Sequence, residues 1–455
     1  MKLGHYIRKC SKSAVIEGVK SIKRLHIKNA KLLPYSNPLI KRALSSVDRH
    51  TDIRKSFMIA PNQVNQFLAA SSLSHLLDGW AYLSGAFTAL LNGDEATAIH
   101  LGYYAELRSA MSILSSEGVG VFSNKHIGAF SSTFNAEYPT NYYKNNNPAG
   151  SYKIPVSPTH TFVWDAMQKW SDSSNKPGDD ILKIFKVRGL NFYELIEYFH
   201  PSTSGSSLLT LQTVKDWLKV WCFDIKNYRH DRNSRNEASY RPQRIQNFNV
   251  ITDFKLIINE LNAFWTVISP TQESKFDLLD KYLLRQLFNS LHKKIAPQET
   301  LEELISNAFT QQGIQDQTLF NFLSYKAPYE NEHVIFTYAA MKKTSALAVI
   351  ARATLLLRIS IGMVSHLYRS GGLGKSELDF VWNKYGLDNG FWSSATPIQD
   401  HIDLWLNLES MFTDLKDDIN DNTKQNDIFS IRERNPIEMM YFSQINRACL
   451  WGLDF

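Results

Sequence analysis

The amino-acid sequence predicts an all-α protein, and three observations support this. Apolar residues recur every three or four positions over most of the chain. The alternation of apolar and polar residues that is typical of strands is scarce. Hydrophobic residues make up 44% and charged residues 21% of the 455 residues, so the chain can bury a large core. We expect a multi-helix bundle with a large loop insertion and a second, C-terminal helical domain.

The first predicted elements are two amphipathic helices. Apolar residues repeat with helical spacing over 62–91, and the turn Asn92-Gly93-Asp94 then interrupts the pattern. Asp94 is suited to cap a second helix that ends near Gly118. Two such helices joined by a short turn predict a helical hairpin.

The remaining elements follow from the same periodicity. Residues 131–160 are rich in Asn, Tyr, Pro, Ser and Thr and predict a long surface loop, and the acidic run 416–421 predicts a solvated segment. Further helices are predicted at 161–170, 179–187, 191–199, 207–228, 250–267, 275–294, 333–368, 376–386, 398–415 and 436–451. We expect a basic N-terminal arm over 1–61, a helical domain over 62–299 with an insertion at 129–206, and a C-terminal helical domain over 300–455.

The positive charge is concentrated at the N-terminus. Residues 1–47 hold eleven basic side chains and one acidic side chain, whereas the whole chain has a net charge of +6. This imbalance predicts an anionic partner, with Lys20, Lys23 and Arg24 as candidate nucleic-acid-binding residues. Val15, Val19, Ile22 and Leu25 also fall at helical spacing, so a helix that docks on the body with a solvated basic face is an open alternative.

Several classes of protein are disfavoured. Cys10, Cys222 and Cys449 are too far apart for a zinc site and predict a reducing compartment. The first 30 residues lack the apolar stretch of a signal peptide, and the apolar segment 345–368 carries charged residues that favour a buried helix over a membrane span. We therefore expect a cytoplasmic protein without a metal or another cofactor.

The segment 369–376 resembles a phosphate-binding loop but lacks two features that such a loop requires, its first glycine and a preceding strand. Arg369 stands where the first glycine should be, and a predicted helix, not a strand, precedes it. We expect its glycines to end that helix in a left-handed conformation and Ser376 to begin the next one.

The segment 228–244 is the strongest candidate for chemistry. Arginine binds phosphate oxygens with two parallel donors, and tyrosine stacks on unpaired bases. The alternative is an arginine network that pairs with acids elsewhere. The candidate nucleic-acid-binding residues here are Arg229, His230, Arg232, Arg241 and Arg244, and they surround Arg235, Asn236 and Tyr240.

Two motifs resemble the small helical HEPN domains. The run Tyr103-Tyr104-Ala105 in the second helix is similar to the Tyr-Tyr-Ala run of that family. The run from Arg235 to Tyr240 matches the Arg-Asn-x3 part of the HEPN signature, with Tyr240 in place of the final histidine. The resemblance covers about 62–128 and 207–268.

The resemblance implies a metal-independent endoribonuclease that acts in bacterial antiviral defence. In active HEPN ribonucleases the 2′-hydroxyl attacks the adjacent phosphate while the paired arginine and histidine assist. On this basis the candidate catalytic residues are Arg235, Asn236, Tyr240, Arg108 and His126. The expected partner is nucleic acid, RNA more than DNA, with a homodimer or a partner protein as a further expectation. The alternative function is a non-catalytic helical adaptor, or a nucleic-acid-binding subunit of a larger complex.

Overall fold

The prediction of an all-α fold is confirmed. The computed structural model describes residues 3–25, 27–33, 61–122, 125–130, 136–137, 158–172, 176–197, 206–240, 254–398, 400–421 and 427–453. The α-helices of these residues are α1 (Leu3–Lys9), α2 (Lys12–Leu25), α3 (Pro61–Leu91), α4 (Glu95–Ser116), α5 (Thr159–Ser171), α6 (Lys176–Ile184), α7 (Phe192–Leu195), α8 (Ser206–Trp221), α9 (Ile225–Tyr240), α10 (Phe254–Ile268), α11 (Asp277–Lys294), α12 (Leu301–Gln312), α13 (Gln317–Leu323), α14 (Val334–Ala340), α15 (Ala346–Ser370), α16 (Lys375–Asp388), α17 (His401–Asp421), α18 (Ile428–Arg434), α19 (Pro436–Ser443) and α20 (Ala448–Leu453).

Strands are few and short. In the first sheet, β1 (Val119–Phe122) pairs with β2 (Lys125–Ala129), which pairs with β3 (Ala136–Glu137). In the second, β4 (Lys186–Val187) pairs with β5 (Leu190–Asn191), and all these pairs are antiparallel. Of the predicted loop 131–160, residues 131–135 and 138–157 lie outside the described residues. The predicted insertion 129–206 therefore contains helices α5, α6 and α7 as well as loop.

The predicted hairpin of α3 and α4 is confirmed. Asp94 is the N-cap of α4, and its Oδ1 accepts a hydrogen bond of 2.9 Å from the backbone N–H of Thr97. Gly93 adopts φ 77°, a left-handed conformation that costs glycine little. The turn therefore fixes α4, which carries the Tyr103-Tyr104 pair, antiparallel to α3.

Helix α15 packs against both helices of this hairpin. It is the helix among the described residues that is long and apolar enough to cross a membrane, yet 89% of its most apolar window is buried in the protein. Its burial agrees with the prediction of a buried helix over 345–368. The buried apolar residues of the described parts of the chain form one cluster from Leu3 to Trp451, which includes residues on both sides of the predicted boundary at 300. The division into two helical domains stays a prediction.

Three predicted details differ from the structure. The single helix predicted at 333–368 is two helices, α14 and α15, because Ser345 caps α15 and accepts a hydrogen bond of 3.2 Å from the N–H of Ala348. The run 416–421 is the last turn and a half of α17, in which Ile419 is buried and Asp418 pairs with Arg434 at 2.9 Å. The third difference is that the arginine-rich stretch after residue 228 is helical as far as Tyr240, as part of α9.

The glycines of 369–376 behave as predicted for a helix end. Gly371 follows the last residue of α15, and Gly372 adopts φ 78°. The backbone N–H of Leu373 then donates to the carbonyl of Tyr368 at 3.0 Å. Gly374 precedes α16, which begins at Lys375. This loop joins two helices, so it lacks the strand that a phosphate-binding loop follows.

The N-terminal helices are docked on the body. Val15, Val19 and Ile22 on one face of α2 are fully buried, and α2 packs against α3. The structure therefore agrees with the alternative left open by the sequence, in which the helix docks on the body and leaves its basic face in solvent. Residues 34–60 of the predicted arm lie outside the described residues.

Gly18 tests how closely α2 and α3 approach. A Cβ atom at Gly18 would lie 2.2 Å from the carbonyl oxygen of Asn65, which is backbone and cannot rotate away. We expect Gly18→Ala to lower the free energy of unfolding by about 1–3 kcal/mol, the usual cost of overpacking. The matched control is Gly4→Ala in α1, where a Cβ would meet only the Lys169 side chain, at 3.5 Å. Equal denaturation midpoints for the two variants would contradict the docking.

Candidate functional site

Helix α9 presents one narrow buried face. Its buried residues are Ile225, Tyr228, Asp231, Arg235 and Ala238, spaced three or four apart as on one side of a helix. Two of the five carry formal charge, so the apolar periodicity is too weak to reveal the helix. For that reason the sequence predicts one helix over 207–228 and only a polar, arginine-rich stretch after it. This prediction is wrong, because α8 ends at Trp221 and α9 runs from Ile225 to Tyr240. The face packs against α4 and α5.

Asp231 anchors this face to α15. The Arg352 guanidinium donates two hydrogen bonds of 2.7 Å, one to each carboxylate oxygen of Asp231, and the Thr344 hydroxyl donates a third of 3.0 Å. Arg352 also donates to the carbonyl oxygens of Ala339 and Met341. Because both charged groups are buried and paired, they fix the rotation of α9 about its axis.

Glu106 of α4 lies beside this pair. Its Oε1 is 3.6 Å from Nε of Arg352, and the side chain is fully buried. Burial, followed by the neighbouring Asp231 carboxylate, raises the pKa of Glu106 well above its usual value. Burial thus favours the protonated form of Glu106, and Asp231, which accepts both hydrogen bonds from the guanidinium, is the counterion of Arg352.

Arg235 lies one helical turn beyond Asp231 and has a different environment. Its side chain is 8% exposed, and its guanidinium lies 5.4 Å from the ring centre of Tyr103 and 5.2 Å from that of Tyr104. Its Nη2 donates a hydrogen bond of 3.1 Å to Nε2 of His160. Within the described part of the chain, Arg235 has no carboxylate partner. A buried guanidinium without a counterion produces a local positive potential that favours an anion.

The hydrogen bonds of His160 fix its tautomer. Because Arg235 can only donate, Nε2 of His160 is an acceptor and carries the lone pair. The proton of the neutral ring is then on Nδ1, which donates to the Tyr103 hydroxyl oxygen at 2.9 Å. That oxygen also accepts a hydrogen bond of 3.2 Å from Nε1 of Trp164. The ring is thus held with its basic nitrogen facing the guanidinium.

His160 is uncharged at neutral pH. Burial, then the charges of Arg235 and Arg232, lower its pKa to about 4. Arg232 itself is half-buried and donates to the Thr161 hydroxyl at 3.3 Å. An anion bound between the two arginines would cancel part of their field and raise the pKa of His160 again. The arrangement therefore combines anion-binding groups with a base that strengthens when the anion is bound.

A polar rim opens the site to solvent. Nδ1 of His100 lies 2.6 Å from the hydroxyl of Ser239, and the His100 ring packs on Tyr104 at 5.1 Å between centroids. His100, Tyr104 and Ser239 are all accessible to solvent. We call this set the Arg235–His160 cluster, and its members are Arg235, Arg232, His160, His100, Tyr103, Tyr104 and Ser239.

Three of the predicted catalytic residues are not members of this cluster and have other surroundings. Tyr240 is 79% exposed, at the end of α9. Arg108 donates to Nδ1 of His75 at 3.0 Å and pairs with Asp78 at 3.4 Å, which is a structural salt bridge between α4 and α3. His126 belongs to β2.

His126 is also unsuited to proton transfer with solvent. It is 2% exposed, and its ring stacks on Phe162 with centroids 3.6 Å apart. Asn236 is half-buried next to Arg235 on α9. Of the predicted catalytic residues, the cluster therefore contains Arg235, with Asn236 adjacent in sequence. The sequence missed His160 because it lies 75 residues from Arg235 and belongs to no motif.

The predicted nucleic-acid-binding residues are dispersed. Arg232 belongs to the cluster, Arg229 pairs with Asp165 at 2.8 Å, and His230 is exposed. Arg241 and Arg244 lie outside the described residues.

In the N-terminal helices, two of the three candidates pair with acids. Lys20 pairs with Glu17 at 2.7 Å, and Lys23 pairs with Glu377 at 3.0 Å and donates to the carbonyl of Gly372. Arg24 is exposed. The charge available to a partner on α2 is therefore smaller than the sequence count suggests.

Within the described ranges, no group of three or more His, Cys, Asp and Glu side chains is placed to hold a metal ion. The side chains of the cluster themselves offer two kinds of interaction. The guanidinium groups carry hydrogen-bond donors suited to an anion, and Nε2 of the neutral His160 ring carries a lone pair suited to accept a proton. Comparisons with protein-family models, with curated proteins and with solved structures found no match to this chain.

Proposed function

We propose that the protein is a metal-independent endoribonuclease and that the Arg235–His160 cluster is its active site. The observation that carries this proposal is the 3.1 Å hydrogen bond between Arg235, which has no carboxylate partner among the described residues, and His160, which is neutral at pH 7. Arginine and a neutral base are what cleavage by the 2′-hydroxyl requires. The resemblance to HEPN domains supports the same activity and, by implication, a role in bacterial antiviral defence.

The proposed reaction begins with the binding of a phosphodiester by Arg235 and Arg232. When Arg235 turns its Nη2 to a phosphate oxygen, Nε2 of His160 is released and accepts the proton of the 2′-hydroxyl. The 2′-oxygen attacks phosphorus, and the arginines stabilise the negative charge that develops on the phosphoryl oxygens. The 5′-oxygen leaves and takes a proton from solvent, which leaves a 2′,3′-cyclic phosphate. The half-buried ring of His100 at the rim offers a surface on which an unpaired base stacks.

The proposal is tested by replacing His160. We expect His160→Ala to reduce the rate of RNA cleavage by about 100-fold or more, because the general base is lost. The control is His5→Ala on α1, where the histidine is exposed and is not a member of the cluster. If the wild type binds RNA but does not cleave it, the non-catalytic adaptor or nucleic-acid-binding subunit replaces the nuclease.

The pH dependence of cleavage gives an independent test. Only the neutral form of His160 accepts a proton, so activity is lost as the pH falls through its pKa. Since that pKa is about 4 in the free protein, kcat/KM should hold its plateau from pH 7 down to about 5. The midpoint for kcat should lie higher, because bound phosphate neutralises the arginines. A kcat/KM midpoint at 6.5 or above, in protein shown by circular dichroism to be folded, would contradict the assignment of His160.

A further inference from the structure

A second site of positive potential lies outside the Arg235–His160 cluster. A cavity of about 330 Å³ is enclosed by the end of α6, the β4–β5 turn, the segment before α11, and the second half of α15. None of its lining residues belongs to the cluster. Its cationic lining residues are Lys183, Lys186, Lys275, Arg358 and Arg369, with His366 beside them.

The two carboxylates of the lining are already engaged. Asp280 accepts hydrogen bonds of 3.0 and 2.7 Å from Arg358 and one of 3.1 Å from the backbone N–H of Lys186. Glu273 pairs at 2.9 Å with Arg188, which is outside the lining. Neither acid therefore neutralises the lysines of the cavity.

Lys183 and Lys186 supply the uncompensated charge. Both side chains are exposed, and neither has a carboxylate partner among the described residues. The ammonium of Lys183 lies 5.9 Å from the ring centre of Tyr193, a contact that leaves its charge in place. Two lysines at the mouth of a cavity whose acidic residues are already paired with arginines favour an anionic ligand.

His366 lies in the wall of the cavity. Its burial is the main reason that its pKa is lowered to about 4. The charges of Lys12, Lys183 and Arg369 lower the pKa further, and the Asp180 carboxylate acts in the opposite direction. The imidazole is therefore neutral at pH 7 and able to share a hydrogen bond with a bound oxyanion. Apolar side chains complete the wall, namely Ile184, Phe276 and Ile361.

We infer that this cavity binds a small phosphate-bearing molecule of about the size of a mononucleotide. Lysine and arginine are the usual binders of phosphate, and a volume of about 330 Å³ is at the lower end of the range for ligand pockets. The cationic mouth takes the phosphate, and the apolar wall takes the uncharged part of the ligand. This inference does not depend on the proposed nuclease activity.

Calorimetric titration with AMP, pyrophosphate and adenosine tests the inference. We expect AMP and pyrophosphate to bind the wild type, and adenosine to bind at least tenfold more weakly than AMP. The double variant Lys183→Met/Lys186→Met should weaken the binding of both phosphate compounds at least tenfold and leave the melting temperature unchanged, since both side chains are exposed. The control is Lys384→Met, whose lysine is exposed on α16 and pairs with Asp388.

Four results would overturn the inference. One is the failure of both phosphate compounds to bind the wild type. Another is equal affinity for adenosine and AMP, which would show that the phosphate is not recognised. The third is unchanged affinity in the folded double variant. The variant Arg235→Met leaves this cavity intact. If this variant still binds AMP with the affinity of the wild type, AMP binds in the cavity. If the variant has lost that affinity, AMP binds in the Arg235–His160 cluster instead.

Discussion

Replacing Asp231 with alanine is expected to lower the free energy of unfolding by about 3 kcal/mol, because it leaves the buried Arg352 without its counterion. Breaking a buried pair from one side usually costs about 3–5 kcal/mol. We expect the lower end because Glu106, 3.6 Å from Arg352, can ionise and take over part of the pairing. Urea denaturation at pH 7 measures the change.

Two further variants separate charge from packing at this site. Asp388→Ala, which breaks an exposed pair with Lys384, should change the stability by less than about 1 kcal/mol. Asp231→Leu combined with Arg352→Met should recover much of the loss, because an apolar pair needs no counterion. If Asp231→Ala is as stable as the wild type, the pair does not fix α9.

Replacing Arg235 with methionine is expected to reduce RNA cleavage by about 100-fold or more and to change stability little. The variant removes the group that stabilises charge on the phosphate, which typically costs a factor of about 100–1000. It leaves no carboxylate unpaired, since Arg235 has none among the described residues, and the methionine still covers Tyr103 and Tyr104. Cleavage rates and melting temperatures are measured on the same preparation.

Two controls sharpen this expectation. Arg432→Met removes an exposed arginine of α18 and should leave cleavage unchanged. Arg235→Lys keeps the charge but not the planar pair of donors, so its rate should lie between those of the wild type and Arg235→Met. An Arg235→Met protein that melts several degrees lower, together with a wild type that does not cleave RNA, would make Arg235 a structural residue.

The elements that the sequence predicts well are those whose apolar residues alone define a face. The hairpin of α3 and α4 is an example, because the periodic residues and the Asp94 cap indicate the same boundaries. Helix α9 is the opposite case, since Asp231 and Arg235 occupy positions of its buried face. Their burial depends on partners from α15 and α5, which no local pattern reveals.

The site was predictable only in part for the same reason. The dense polar run 228–244 indicates Arg235 as a candidate site residue, and the Tyr103-Tyr104 pair belongs to the run that resembles HEPN domains. His160 has no such context, and only the packing of α5 against α9 brings its ring to Arg235. Tyr240 followed the HEPN spacing, but the helix ends there and leaves it exposed.

The most direct test of the proposed nuclease is the chemistry of its products. Single-stranded RNA of mixed sequence is incubated in EDTA with the wild type and with His160→Ala, with DNA of the same sequence in parallel, and the 3′ ends are identified by mass spectrometry. The account predicts that the wild type cleaves RNA but not DNA, that the new ends are 2′,3′-cyclic phosphates, and that His160→Ala forms them at least about 100-fold more slowly. Intact RNA, 3′-hydroxyl ends, or equal rates for the two proteins would contradict it.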